Sequence, residues 1–348
     1  MDFLDKSIDI KQFGISNRRY IGNKNKLMPW INRLIHDNTE GTSFFDVFAG
    51  TGSVTNWELS EFDTFYINDF LFSNEVIFKA FFGIENYDME KLYKIALEYN
   101  SISKRMYDDE YFVNQYGNKF FSYSDAIKIG EIRERIEQNK SINERERSIL
   151  IASLIYSADR SSNTVGHYDA YRKISDIPNR FEFGIVVPEK TDNKTINIYR
   201  CDANELVREI YADVVFIDPP YNSRQYSRFY HVLESLTKWD KPELFGIAKK
   251  PKPENMSDYS KTSAPETFHD LIQNINARYI VVTYNNTYEN AQSSSSRNKI
   301  SHDQILSSLN LVGKTKVFNR AYKSFNAGNT DLGDHKEFVF ITQVTPHV

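Results

Sequence analysis

The stretch Val214-Val215-Phe216-Ile217-Asp218-Pro219-Pro220-Tyr221 constrains this chain more than any other. Four apolar residues in succession read as a buried strand. The acid that follows lies at that strand's carboxyl end, where open α/β sheets place their ligands. The two prolines fix φ and remove two amide donors, so the carbonyls there point outward with no competing donor beside them. An aromatic ring follows at a fixed offset. This constellation fits a planar amine: the Asp218 carboxylate and the Pro219 carbonyl each accept a hydrogen bond from an NH2 group, and Tyr221 stacks on the ring that bears it. The plain alternative is a strand that ends in an ordinary proline turn, and the apolar run and the aromatic weigh against it.

The texture of the rest of the chain supports an α/β sheet. RRYIGNKNKLMPWINRLIHD is a basic loop leading into an amphipathic helix, with Leu27, Trp30, Ile31, Leu34 and Ile35 at helical spacing and Pro29 in the first turn. SFFDVFAG is an apolar run of strand length with a glycine turn, and TGSVTNWELS opens a helix that Thr51 or Ser53 would cap. DTFYIND is a second strand ending in an acid. Together these make half of a doubly wound nucleotide-binding fold. From Glu85 to Thr195 the character changes: charges alternate in sign, Lys128–Ile151 carries a helical pattern rich in Glu/Arg pairs, and no βαβ rhythm is visible. The α/β texture returns with TINIYRCDANELVREIYADVVFIDPPY, then ARYIVVTYNN, DQILSSLN, TKVFNRAY and KEFVFITQV. At 348 residues the chain is long for one core. The expected division is therefore a catalytic domain formed by 1–84 and 196–348, interrupted by an inserted domain at 85–195.

Composition narrows the class. Cys201 is the only cysteine, which excludes an intramolecular disulfide and a cysteine-based zinc site; its place at a strand end predicts a small buried residue. MDFLDKSIDIKQFG has acidic residues and no long apolar run, so it does not read as a signal peptide. No stretch approaches the roughly 20 apolar residues of a membrane span, and the expected location is the cytoplasm. A net charge of −4 does not advertise a nucleic-acid partner, so a DNA-binding protein of this balance must concentrate its positive charge on one face. The aromatic content of 14% suits either aromatic cores or stacking on bases.

Further residues carry weaker signals. In FFDVFAGTGSV, Gly50 and Gly52 let the backbone approach a ligand closely and the following helix offers its N-terminal amides. There is no third glycine of a dinucleotide fingerprint and no Gly-Lys-Ser/Thr phosphate loop. Asp69 lies 17 residues after Gly52 and suits ribose hydroxyls, or else caps a helix. Asp202 suits the adenine end of a nucleoside-like cofactor, or is again a cap. The glycine loop from Arg18 to Lys24 is a phosphate contact or a solvated turn. SSNTVGHYDAYRK brings His167, Tyr168, Tyr171, Arg172 and Lys173 to a loop that could meet phosphates or base edges, or be an ordinary polar loop. Lys249, Lys250 and Lys252 stand on a proline-stiffened loop with the same two readings. Arg224 and Arg228, just behind the proline turn, are better candidates for a strand backbone.

In chain order, RYIGNK, FDVFAGTGSV, YIND, RCDAN and DPPY resemble the class α, Dam-type, adenine-N6 DNA methyltransferases, over roughly half the chain. The run NSRQYSRFYHVLESL is similar to restriction–modification members of that class. The resemblance implies a Rossmann-like class I methyltransferase with a seven-stranded mixed sheet, and S-adenosylmethionine as cofactor. Tyr20 and Lys24 would flank the cofactor; Phe48, Gly50 and Gly52 would line its methionine side, and Asp46 would be a further cofactor-binding residue. Asp69 would bind the ribose, Asp202 the adenine, and Asp218 both cofactor and target base. Asp218, Pro219, Pro220 and Tyr221 would be the catalytic group. The insert, mainly helical, would recognise the DNA target. RAYKSFNAGN, residues 320–329, resembles the loop between the last two strands that packs near the target base.

The chemistry implied is physically consistent. The adenine amino nitrogen has its lone pair delocalised into the ring and is a poor nucleophile. Hydrogen bonds from its protons to Asp218 and Pro219 favour a tetrahedral nitrogen with its lone pair exposed; no covalent intermediate or metal is required, and the rest is positioning. A base inside a duplex must be turned out to reach such a site. Competing readings are an RNA adenine methyltransferase, a cytosine amino-group methyltransferase, and a silent nucleic-acid-binding module. A monomer acting on double-stranded DNA, with any cognate restriction endonuclease not stably bound and no membrane partner, is the expected setting.

Overall fold

Residues 10–20, 22, 24–220, 223–286, 299–321 and 336–346 are described by the computed structural model. Tyr221, the SSSS run and most of the 320–329 loop therefore lie outside the described residues. Contacts divide the chain into two units, one of residues 23–71, 193–226 and 254–348, the other of residues 1–22, 72–192 and 227–253.

The first unit is built on a sheet of β1 (Ser43–Asp46), β2 (Thr64–Asn68), β3 (Thr195–Tyr199), β4 (Tyr211–Ile217), β5 (Asn276–Asn285), β6 (Gly313–Ala321) and β7 (Lys336–Val344). Its strand order is β3-β2-β1-β4-β5-β7-β6. The strands from β3 to β5 are parallel, and β7 runs antiparallel to both β5 and β6. This seven-stranded mixed sheet is consistent with a class I methyltransferase fold. The continuous apolar runs have a direct cause: central parallel strands are covered on both faces. Phe45, Val215, Ile217, Ile280 and Val282 enter one core cluster, while the alternate residues Phe44, Val214, Phe216 and Val281 are buried as well.

The helices, numbered along the whole chain, are α1 (Met28–Asn38), α2 (Ser53–Glu58), α3 (Phe72–Phe82), α4 (Met89–Asn100), α5 (Tyr111–Tyr116), α6 (Tyr123–Gln138), α7 (Glu144–Ser161), α8 (Ala203–Leu206), α9 (Tyr226–Phe229), α10 (His231–Lys238), α11 (Ala264–Asn274) and α12 (His302–Val312). In the sheet unit, α8, α11 and α12 contribute Leu206, Phe268, Leu271, Ile305 and Leu309 to that core cluster. Helix α1 starts with a proline in its first turn and buries Met28, Ile31 and Ile35. Neither Thr51 nor Ser53 is the N-cap of α2. That position is held by Gly52 in the left-handed region, φ +76°, with no side-chain cap.

The second unit is mainly helical. Its centre is α7, which buries an almost unbroken run from Ser148 to Asp159 and packs against α3. The one helical pattern expected over Lys128–Ile151 is two helices, because Asn143 caps α7 through a capping box with Glu146. The units part after Leu71 and after Asp192, where the sequence suggested 84 and 195, and residues 10–20 and 227–253 join the helical unit. Helix α3 accounts for the first shift: Ile77, Phe78, Ala80, Phe81 and Phe82 are all buried, and their partner α7 lies some 70 residues further along the sequence.

Cys201 corrects the sequence reading, since it is exposed rather than buried. It follows β3, the edge strand of the sheet, and among the described residues only its backbone forms hydrogen bonds. Its amide donates to Asn68 Oδ1 at 3.0 Å and its carbonyl accepts from Asn68 Nδ2 at 3.2 Å. Among the described residues, no helix is long and apolar enough to cross a membrane.

Candidate active site at the carboxyl ends of the central strands

Three neighbouring parallel strands end in aspartate. Asp46 is the last residue of β1, Asp69 follows β2, and Asp218 follows β4; β1 lies between the other two. Because the strands are parallel and paired in register, all three acids come to the same edge of the sheet.

The turn after β1 is held from several sides. Val47 N donates to Phe216 O at 3.0 Å, and Ala49 N donates to Asn68 O at 2.9 Å. Gly50 and Gly52 adopt φ of +55° and +76°, conformations in which a side chain would be strained. Asp69 locks this turn: its Oδ2 accepts from Gly50 N and its Oδ1 from Leu71 N, both at 2.9 Å. Asp46 is 1% exposed. Its Oδ2 accepts from Thr55 Oγ1 at 2.9 Å, whereas its Oδ1 is buried with no hydrogen-bond partner among the described residues. Burial raises the Asp46 carboxyl to about 7; the Thr55 hydrogen bond opposes this, and the Asp218 and Asp69 carboxylates add to it.

Asp218 is anchored through one oxygen. Its Oδ1 accepts from Thr283 Oγ1 at 2.9 Å and lies 3.0 Å from Lys24 Nζ. Among the described residues its Oδ2 has no hydrogen-bond partner, and the side chain keeps 17% of its exposure. The oxygen pair is thus divided into one that fixes the carboxylate and one that can accept a further donor. Burial raises the Asp218 carboxyl above its usual range, Lys24 pulls it back, and Glu337 pushes it up again. Lys24 Nζ is also 2.7 Å from Glu337 Oε1. Sheet register explains the convergence. Ile217 pairs with Val282, which sets Asp218 beside Thr283, and Asn285, two residues on and on the same face, pairs with Glu337. Thr283 and Glu337 were not among the residues singled out by sequence; their only signal is polarity inside otherwise apolar strands. Pro219 is buried and Pro220 half-buried.

On the β3 side, Asp202 caps α8, its Oδ1 accepting from Asn204 N and Glu205 N. Phe48 meets Tyr259 edge-on, with ring centroids 5.0 Å apart, and Tyr259 Oη donates to Asn204 Oδ1 at 2.7 Å. Behind the proline turn, Gln225 makes two hydrogen bonds with the backbone of Ser257, and the Arg224 carbonyl accepts from Ser260 Oγ. The Arg224 side chain is exposed.

The remaining candidates belong to the helical unit. The Tyr20 ring stacks on Tyr230 at 4.7 Å and 7°. Arg228 donates to the Pro251 carbonyl, and His167 stacks on Phe229 at 4.9 Å. Three loops are tied together here. Asn163 Nδ2 donates to the carbonyls of Lys119 and Arg172, at 2.9 and 2.8 Å, and Lys250 pairs with Asp169. Arg172 and Lys173 are exposed, and Lys249 sits at φ +52° in a tight turn. Lys119, which sequence reading passed over, joins this basic group: burial and the neighbouring Lys249 ammonium lower its pKa.

Sheet order and the acids at the strand ends are consistent with an α/β fold of the class I methyltransferase type. The model of the D12 class N6 adenine-specific DNA methyltransferases matches residues 20–295, and this chain belongs to that family. Modification methylase LlaI of Lactococcus lactis subsp. lactis is 35% identical over 77% of this chain and 46% of its own length. Modification methylase StsI of Streptococcus sanguinis is 37% identical over 77% of this chain and 44% of its own length. The chain thus spans about half the length of these relatives. Type II methyltransferase M.CviAII of Paramecium bursaria Chlorella virus 1 is 30% identical over 93% of this chain and 98% of its own length.

Proposed function

We propose that this chain transfers a methyl group from S-adenosylmethionine to the N6 amino group of an adenine turned out of double-stranded DNA. In this reading it is the modification enzyme of a restriction–modification system, a cytoplasmic monomer with no stably bound endonuclease. The observation that carries the proposal is the divided Asp218 carboxylate: Oδ1 tied to Thr283 and Lys24, Oδ2 open beside Pro219 and Pro220.

The residues fit a cationic donor. The buried, unpartnered Asp46 Oδ1 and the neighbouring carboxylates of Asp69 and Asp218 favour a ligand that brings positive charge and hydrogen-bond donors. Lys24, Asp46, Phe48, Gly50 and Gly52 would hold the donor's amino-acid end, with Asp69 at its ribose and Asp202 at its adenine. Tyr20 flanks it. The cofactor, once bound, supplies an electrophilic methyl on a sulfonium. Asp218 Oδ2 and the Pro219 carbonyl accept the amino protons and turn the nitrogen lone pair outward, Pro220 holds the turn rigid, and Tyr221 stacks on the base. The helical unit recognises the target, with His167, Arg172, Lys173, Lys249 and Lys250 meeting phosphates or base edges, and Arg224 and Arg228 meeting the strand backbone.

The test is transfer of tritiated methyl to unmethylated genomic DNA, followed by nucleoside analysis. Label in N6-methyladenine supports the reading. Label in RNA alone moves the substrate, and no transfer to either with the cofactor bound removes the enzyme assignment.

A further inference from the structure

Glu337 is not needed to anchor Asp218, yet it takes the shorter of the two Lys24 contacts, 2.7 against 3.0 Å. Lys24 and Glu337 are both nearly buried, at 7% and 3% side-chain exposure, so water does little to screen the three charges. Two carboxylates share one ammonium, which leaves the Asp218–Lys24–Glu337 group with a net charge of −1. Without Glu337, the Asp218–Lys24 pair would carry no net charge.

Methyl transfer makes that difference matter. The S–CH3 bond breaks, the N–CH3 bond forms, and positive charge moves from sulfur to the amino nitrogen, which then gives up one proton. A net negative group beside the nitrogen stabilises the charge as it arrives, whereas a neutral pair stabilises it less. From this charge arrangement we propose that Glu337 is a positioning residue for the transfer. By holding Lys24 it keeps Asp218 a strong acceptor and the group net negative. This rests on the assignment of Asp218 to the target amine.

The experiment compares the wild type, Glu337→Gln and Glu337→Asp by steady-state kinetics on target DNA. Glu337→Gln keeps the shape and removes the charge; Glu337→Asp keeps the charge and shortens the side chain. The expected result is a fall in kcat of about 10- to 100-fold for Glu337→Gln, with KM for cofactor and DNA within about twofold, the range expected for a lost transition-state interaction. Glu337→Asp should fall less. A kcat for Glu337→Gln within about threefold of wild type, or Glu337→Asp more impaired than Glu337→Gln, overturns the charge role, because packing alone ranks the variants the other way. If Glu337→Gln does not fold, the Glu337→Asp rate decides: a loss greater than about 100-fold in a folded protein overturns it. Wild type inactive on DNA would sink the underlying assignment instead, so the two failures are distinguishable.

Discussion

Replacing Asp46 by asparagine tests whether the aspartate cluster holds the methyl donor. The Asp46 carboxyl titrates near 7 because it is buried beside Asp218 and Asp69. Below that pH it is protonated and neutral; above it the carboxylate can pair with a cationic ligand. If the bound donor requires the ionised form, each pH unit below 7 must first remove a proton at a cost of about 1.36 kcal/mol, which is tenfold in affinity. Donor affinity measured by titration calorimetry should therefore weaken about fivefold between about pH 7 and about pH 6, approach tenfold per unit below about pH 6, and level off above about pH 8. Asp218 is raised too, so a smaller residual dependence remains. In Asp46→Asn the carboxamide oxygen can still accept from Thr55, but no charge titrates, and the slope over this window should mostly vanish. A wild-type dissociation constant constant within about twofold over that range, or a variant with the same slope as wild type, would refute the pairing.

Asp218→Ala should abolish methyl transfer, with a loss of at least about 100- to 1000-fold in kcat, while calorimetry finds donor affinity largely retained; near-normal turnover would remove Asp218 from the chemistry. Glu58 gives a stability test within the sheet unit. Burial raises its carboxyl to about 8, against the opposing hydrogen bond from Asn32. The folded protein then keeps a proton that the unfolded chain, with a carboxyl near 4.5, has already lost. Stability therefore falls as pH rises between these values, by up to about 1.4 kcal/mol per unit. Glu58→Gln should flatten that slope in urea melts, and its advantage over wild type should be larger at about pH 7.5 than at about pH 5; equal slopes would contradict the buried-acid account. In the helical unit, Lys119→Gln with Lys249→Gln should reduce the slope of log affinity for DNA against log salt by about 1 to 2, as expected for two lost phosphate contacts. An unchanged slope would place this basic group off the DNA.

How much of the fold was legible follows from where its signals are local. A parallel strand buried on both faces writes itself as a continuous apolar run, so β1, β4 and β5 were visible in SFFD, VVFI and IVVTY. The first boundary of the helical unit was less legible because α3 looks, locally, like another helix of the α/β alternation. Its buried face is completed by α7, and a contact across so much sequence leaves no mark at either end of it. Cys201 was misjudged for a related reason: a strand end is buried only if the strand is internal, and nothing in TINIYRC shows that β3 is the sheet edge.

The candidate site divides in the same way. Asp69, Asp202 and Asp218 are each read from a strand followed by an acid, a pattern contained within a few residues, and Asp46 comes from the family resemblance of FDVFAGTGSV. Glu337 and Thr283 are not, because what gives them meaning is register. Glu337 begins β7, whose antiparallel pairing with β5 sets it opposite Asn285, two residues beyond Thr283 and on the same face. The parallel pairing of β4 with β5 brings Asp218 beside Thr283. A one-residue slip of β7 would turn Glu337 to the other face, away from Lys24 and Asp218. The charge balance around Asp218 is therefore fixed by the pairing of the last strand, far from the proline turn that makes the site recognisable.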